Sequence, residues 1–285
     1  MPSPLITVSE LQTLLADASR STVVVDCCFD LANPAAGRES YHQGHLPGAF
    51  YLHLDNELSG PRTGANGRHP LPDPDIFVAR LRALGVNQDS TIVAYDAQGA
   101  MFAARLWWLS RWIGHAGVRV LDGGKSAWIA AGLPLEQGAR DEPEGGGDLV
   151  RQPSLAPTVD AGGLLRNLAS PALLVVDARA PDRFRGENET LDPVGGHIPG
   201  AVNRFFKDNL DTEGRFKPAA TLRSEFGQVL GGKTPDEVVM QCGSGVTACH
   251  SLLALEIAGL TGAALYPGSW SEWCADPARP VATGA

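Results

Sequence analysis

Short apolar runs alternate with helical patterns along the chain. The runs predict strands because they are brief, mostly apolar and rich in β-branched residues. They are Val23–Asp26, Ile92–Tyr95 and Val118–Leu121 in the first half, and Leu173–Asp177, Val238–Gln241 and Ala263–Tyr266 in the second. Between strands, segments such as Phe102–Ile113 and Leu252–Leu260 have helical spacing. Alternation of this kind is typical of βαβ units, so the sequence predicts an α/β protein with a parallel sheet flanked by helices in each half.

The second half repeats motifs of the first half in the same order. Gly44–Ala49 (GHLPGA) recurs as Gly196–Ala201 (GHIPGA), and the strand that ends at Asp26 recurs as the strand that ends at Asp177. A fixed order of matched motifs indicates a duplicated domain. We therefore predict two similar domains, residues 1–138 and 158–285. Residues 139–157 are rich in glycine, proline and acidic side chains, which is typical of a linker.

Composition and charge narrow the function classes. The 285 residues are 44% hydrophobic, enough for a full core, and the net charge of −9 disfavours nucleic acid or an anionic membrane as partner. No apolar run approaches the ~18–20 residues of a membrane span, and no secretory signal is visible at the N-terminus. The five cysteines have neither disulfide-framework nor metal-ligand spacing, so we expect no metal and a reducing, cytoplasmic location.

The segment that follows Val238–Gln241 carries the strongest chemical signal. Cys242 ends this predicted strand, and a loop of small residues leads from it into a predicted helix. Backbone N–H groups of such a loop and the N-terminus of the helix would favour a thiolate over a thiol. A free cysteine at a strand end can also be a plain core residue. The two glycines and two hydroxyl side chains that follow it favour a reactive cysteine. The first domain has Asp96 at the matching position, so we expect that domain to be inactive and Asp96 to act as a helix cap or turn residue.

Taken together, these motifs resemble the tandem-domain rhodanese family of sulfurtransferases over nearly the whole chain. Its members share the His-x-Pro-Gly-Ala blocks and carry a cysteine loop in the second domain. The loop here is similar to that of members that use 3-mercaptopyruvate. Members that use thiosulfate typically have two basic residues after the cysteine, where this chain has Gly243 and Ser244. The resemblance implies an enzyme that moves sulfane sulfur from 3-mercaptopyruvate through a Cys242 persulfide and releases pyruvate, without a cofactor.

The resemblance also implies roles for further residues. Cys242 would be the nucleophile, and Ser244, His69 and Asp55 would complete a proton relay. Arg183 would bind the anionic group of the donor. The loop residues expected to contact the substrate are Gly243, Gly245, Val246 and Thr247. The expected partners are a small sulfur donor and a thiol acceptor, such as thioredoxin or a small thiol, with cyanide as an assay acceptor.

One position departs from the family pattern. Members that use 3-mercaptopyruvate usually have a second arginine where this chain has Asp192, which would repel a substrate carboxylate. Either another arginine replaces it, with Arg105 and Arg111 as candidates, or the preferred donor differs. Thiosulfate is therefore the alternative donor. A rhodanese-like phosphatase is disfavoured, because Ala248 stands where such enzymes need a phosphate-binding arginine.

Overall fold

The computed structural model describes residues 3–285, which form two compact units. Unit 1 comprises the chain up to Gly60, together with Leu71–Leu155 and Thr212–Phe216. Unit 2 comprises Pro61–Pro70, Ala156–Asp211 and Lys217–Ala285. This division differs from the sequence boundaries in three ways, the first being that Thr212–Phe216 belongs to unit 1. Residues 61–70 belong to the second unit, and most of the expected linker belongs to the first, where the Gly147 N–H donates to the Arg82 carbonyl at 2.7 Å.

Unit 1 contains a parallel sheet of five strands in the order β1-β5-β4-β2-β3. Its central strands are the apolar runs that the sequence predicts, and the edge strands are too short to form a visible pattern. The strands are β1 (Leu5–Ile6), β2 (Thr22–Asp26), β3 (Phe50–Tyr51), β4 (Thr91–Tyr95) and β5 (Val118–Leu121). The helices are α1 (Val8–Ala16), α2 (Ala36–Gln43), α3 (Pro74–Ala83), α4 (Ala103–Trp112) and α5 (Gly124–Ala130).

Unit 2 contains a parallel sheet of four strands in the order β7-β6-β8-β9. The strands are β6 (Leu174–Asp177), β7 (Val202–Asn203), β8 (Val238–Gln241) and β9 (Ala264–Leu265). The helices are α6 (Ala161–Ala169), α7 (Pro181–Arg185), α8 (Ala219–Leu230), α9 (Thr247–Ile257) and α10 (Ser269–Trp273), with 3₁₀ turns at Phe206–Asn209 and Pro235–Glu237. Because β6 and β8 run parallel and pair Asp177 with Gln241, their carboxyl ends lie at one edge of the sheet, where ligands of such sheets bind. The α/β fold with one flanked parallel sheet per unit is as the sequence predicts.

Helix α9 starts earlier than the apolar pattern indicates. The pattern begins at Leu252, whereas the helix begins at Thr247 directly after the cysteine loop. Its first turns bury Ala248, Cys249, His250 and Ser251, so small and polar residues occupy core positions there. A helix that is buried on every side shows no amphipathic period. The early start brings the N-terminus of α9 directly to the end of the loop.

None of the helices among residues 3–285 combines the length and the apolar character that crossing a bilayer would require.

Candidate active site

The loop after β8 is fixed by the first turn of α10. The Cys242 N–H donates to Ser269 Oγ at 3.1 Å, and the Cys242 carbonyl accepts from the Trp270 N–H at 2.9 Å. The Gly243 carbonyl accepts from the Ser271 N–H at 2.9 Å. The N–H and the carbonyl of Cys242 are therefore both held in place, and Cys242 is only 2% exposed. Rigid support of this kind is what a nucleophile at the end of a strand requires.

Gly245 allows the loop to turn tightly before α9. Its φ is +79°, and a Cβ at this position would lie 2.3 Å from the Pro267 carbonyl oxygen. No side chain fits at that distance. The turn delivers the chain to Thr247, the first residue of α9, so the positive end of the helix dipole adjoins the loop. Gly245 thus provides the tight turn that the sequence predicts, and contact of Gly245, Val246 and Thr247 with substrate stays a prediction.

Ser244 and His69 form a buried hydrogen-bonded pair. The distance between Ser244 Oγ and His69 Nδ1 is 2.7 Å, and the two residues are 7% and 3% exposed. His69 belongs to the segment Pro61–Pro70 of unit 2. The structure therefore brings together two of the expected relay residues. Of these, Ser244 lies two positions after Cys242 in the loop. A hydroxyl bound to an imidazole can pass a proton to or from a reacting group.

A buried carboxylate lies between two arginines in the same unit. Asp192 is bonded to Arg68 Nη1 through one oxygen and accepts from Arg183 Nη2 at 3.4 Å through the other. The Asp192 side chain is 2% exposed, and those of Arg68 and Arg183 are 26% and 19% exposed. Burial raises the pKa of the Asp192 carboxyl, although hydrogen bonding and charge from Arg68 act in the opposite direction. Sequence reasoning missed Arg68, which directly precedes His69.

A second carboxylate anchors Arg183 from behind. Glu189 accepts from Arg183 Nε at 3.1 Å and from Nη2 at 2.8 Å. Burial raises the pKa of Glu189, but the hydrogen bonds from Arg183 and from backbone N–H groups outweigh it and hold the pKa below its ordinary value. Glu189 also pairs with Arg179, whose guanidinium binds Asp177 at 2.6 Å and lies 4.7 Å from the centre of the Trp270 ring. This alternating network fixes the loop that carries Asp192.

The remaining expected residues lie in unit 1. Asp55 is half-buried there, and its N–H donates to His53 Nδ1 at 3.1 Å, so its part in a relay stays a prediction. Arg105 is fully buried on α4 and donates to the Leu58 carbonyl at 3.3 Å, and the Arg111 guanidinium lies over the Trp107 ring. In unit 2, Arg68 joins Arg183 beside Asp192, and donor binding by Arg105 or Arg111 stays a prediction.

Comparison with known proteins shows the family of the chain. The family model described as a rhodanese-like domain matches residues 7–131 and 160–276. The chain belongs to the rhodanese family.

Three relatives show what the chain is similar to. A protein of Pseudomonas aeruginosa, provisionally named a 3-mercaptopyruvate sulfurtransferase, is 48% identical over 98% of both chains. A protein of Mycobacterium tuberculosis, provisionally named a thiosulfate sulfurtransferase, is 39% identical over 98% of this chain and 97% of its own. The crystal structure of SseA from Escherichia coli, described as a 3-mercaptopyruvate sulfotransferase, has a TM-score of 0.80 and 30% identity over 94% of this chain and 99% of its own. The chain is accordingly a sulfurtransferase.

The rhodanese-like fold of unit 1 uses its equivalent loop differently. The two oxygens of Asp96 accept four backbone N–H bonds of 2.8–2.9 Å, from Gln98, Ala100, Phe102 and Ala103. Burial raises the pKa of this carboxyl, and the four N–H groups oppose the change. A side-chain carboxylate thus fills the space that the loop encloses, and it caps the start of α4. The expectation that Asp96 is a cap or turn residue is confirmed.

The other four cysteines of the chain are buried packing residues in the structure. Cys249 is fully buried in α9, and its Sγ donates to the Gly245 carbonyl at 3.2 Å. Burial raises the pKa of Cys274 to about 11 and raises those of Cys27 and Cys28 far more. Thiols with raised pKa values stay protonated at neutral pH and are weak nucleophiles. We expect Cys242 to be the reactive thiol.

Proposed function

We propose that the chain transfers sulfane sulfur from 3-mercaptopyruvate through a persulfide on Cys242 to an acceptor thiol. The observation that carries the proposal is the Ser244–His69 pair of 2.7 Å within the rigid loop that begins at Cys242. This pair combines a hydroxyl and an imidazole, groups that can pass a proton to a pyruvate enolate. The similarity to SseA of E. coli supports the same donor.

The proposed reaction has two steps. The Cys242 thiolate attacks the sulfur of 3-mercaptopyruvate, and an S–S bond forms as the C–S bond of the donor breaks. The electron pair of the broken bond remains with carbon as the enolate of pyruvate, which takes up one proton, and we expect Ser244 and His69 to relay it. An acceptor thiolate then attacks the outer sulfur of the persulfide, carries it away and restores the Cys242 thiolate.

The proposed acceptor is a small thiol or a protein thiol such as that of thioredoxin. All five cysteines are free thiols in the structure, which supports a reducing compartment such as the cytoplasm. Thiosulfate is the alternative donor, because the relative from M. tuberculosis bears that name and Arg68 brings a positive charge close to Gly243. The side chains of the loop itself, Gly243–Val246, are uncharged, and the similarity to SseA supports the same donor, so we propose 3-mercaptopyruvate.

Pyruvate release and sulfur transfer in two cysteine variants test the function. With 3-mercaptopyruvate and a thiol acceptor, the native protein is expected to turn over, and Cys242→Ser is expected to show no transfer. Cys249→Ser, the matched control in the adjoining helix, is expected to keep most of the activity. Comparable losses in both variants, or turnover by Cys242→Ser, would contradict the proposal.

A further inference from the structure

Two guanidinium groups lie close to the residue that follows the nucleophile. A Cβ at Gly243 would lie 2.9 Å from Arg68 Nη2 and 3.7 Å from both Nη1 and Nη2 of Arg183. Any side chain larger than hydrogen at position 243 would therefore contact Arg68. The positive charge that thiosulfate-using members carry on the residue after the cysteine is here supplied from another segment of the chain.

Arg68 and Arg183 each have a guanidinium nitrogen near the cysteine loop that can donate a hydrogen bond to a ligand. Arg68 uses Nη1 to bind Asp192, and Arg183 uses Nε and Nη2 to bind Glu189 and Asp192. Within residues 3–285, Nη2 of Arg68 and Nη1 of Arg183 have no hydrogen-bond acceptor. Both side chains are partly exposed, so solvent or a small ligand can reach them. Guanidinium N–H groups in such a pair are suited to bind one anionic group.

Asp192 explains why Arg68 stays beside the loop. A long arginine side chain has many rotamers, and a fixed carboxylate partner limits them. Asp192 is held in turn by Glu189, whose side-chain carboxylate accepts a hydrogen bond from the Asp192 N–H at 3.1 Å. The backbone of Arg68 is fixed as well, because its N–H donates to Ser271 Oγ at 3.0 Å. The acidic residue that sequence reasoning regarded as repulsive instead orients an arginine.

We propose that Arg68 is a donor-binding residue. Arg68 Nη2 and Arg183 Nη1 together bind the carboxylate of the sulfur donor, and Asp192 positions Arg68 for this role. The inference rests on the proposed function and specifies its substrate site. Arg68 thereby replaces the second arginine that related enzymes carry near position 192. The same pair could hold the sulfonate-like end of thiosulfate, so both donors are included in the test.

Arg68→Gln tests the proposal, with Arg185→Gln as its matched control. Arg185 is an exposed arginine of the same unit, paired with Glu187 at 2.7 Å. Arg68→Gln is expected to raise the KM for 3-mercaptopyruvate about 10- to 100-fold with little change in kcat, because it removes a charged hydrogen bond to bound donor. Arg185→Gln is expected to match the native protein. Asp192→Asn is expected to raise the same KM.

The methyl ester of 3-mercaptopyruvate separates binding from structural support. The ester lacks the carboxylate, so its KM is expected to be equal in the native protein, in Arg68→Gln and in Asp192→Asn. If the variants raise the KM for the acid and the KM for the ester equally, Arg68 acts through the fold and the proposal is wrong. The proposal is equally wrong if Arg68→Gln raises the KM for thiosulfate and leaves the KM for 3-mercaptopyruvate unchanged.

Two further outcomes keep the test decisive. If Arg68→Gln does not fold, Arg68→Lys keeps the charge and the bond to Asp192 but loses Nη2, so an unchanged KM in this variant would contradict the proposal. If the native protein forms no persulfide from 3-mercaptopyruvate, the proposed function fails. If it does form one and Arg68→Gln behaves as Arg185→Gln does, the assignment of Arg68 alone fails.

Discussion

At the scale of single residues, the Ser244–His69 hydrogen bond is the contact on which the proposed proton transfer depends. Loss of a positioned acid or base typically lowers a rate by about 10²–10⁴-fold. We expect Ser244→Ala to lower kcat with 3-mercaptopyruvate by about 10²-fold while leaving KM nearly unchanged, because neither atom of the pair binds the donor carboxylate. Steady-state pyruvate release measures both constants.

The double variant shows whether the two residues act as one unit. If Ser244 and His69 form a single relay, adding His69→Gln to Ser244→Ala should lower kcat little further. Losses that multiply would mean that the two residues act independently.

At the scale of structural elements, the segment Pro61–Pro70 supplies both Arg68 and His69 to unit 2. Gly67 lets it approach α10, because its φ is +83° and a Cβ there would lie 2.7 Å from the Gly268 carbonyl oxygen. Gly67→Ala should therefore displace the segment and lower kcat/KM by about 10-fold or more, since a small misplacement of catalytic groups is costly. Gly64→Ala is the matched control, because Gly64 has a φ of +86° and open space around it. Equal activity in the two variants would contradict this account of the segment.

The equivalent loop of unit 1 depends on one carboxylate. Asp96→Ala would leave four N–H groups without an acceptor, three of them buried, and we expect a loss of at least about 3 kcal/mol in the free energy of unfolding. Asp30 offers a control, because it accepts two N–H bonds at an exposed turn, and Asp30→Ala should cost about 1 kcal/mol. Urea denaturation measures both values. A similar loss in the two variants would show that Asp96 does not support its loop in the way described.

At the scale of the whole molecule, the sequence predicts those strands and loops whose residues form a pattern along consecutive positions. The interior strands β4, β5 and β8 are mostly apolar runs, and their predicted boundaries agree with the structure to within a residue. The two-residue strands β3 and β7 leave no periodic signal, whereas β9, equally short, lies within the predicted run Ala263–Tyr266. The cysteine loop is visible because its residues are consecutive.

Long-range pairing limits the prediction of the site. Asp192 looks repulsive in the sequence because its partner Arg68 lies far away along the chain. The assignment of residues 61–70 to unit 2 depends on similar contacts, such as the bond from the Arg68 N–H to Ser271 Oγ. No local pattern encodes either fact. The Ser244–His69 pairing was predicted only through the family resemblance.

The measurement that tests the central claim most directly is a rapid-quench experiment on the native protein. The protein is mixed with one donor without acceptor, quenched at intervals and digested, and the peptide that contains Cys242 is weighed by mass spectrometry. The account predicts that one sulfur atom is added to that peptide and that it is added faster from 3-mercaptopyruvate than from thiosulfate at equal concentration. Sulfur on any other cysteine, or faster loading from thiosulfate, would contradict it.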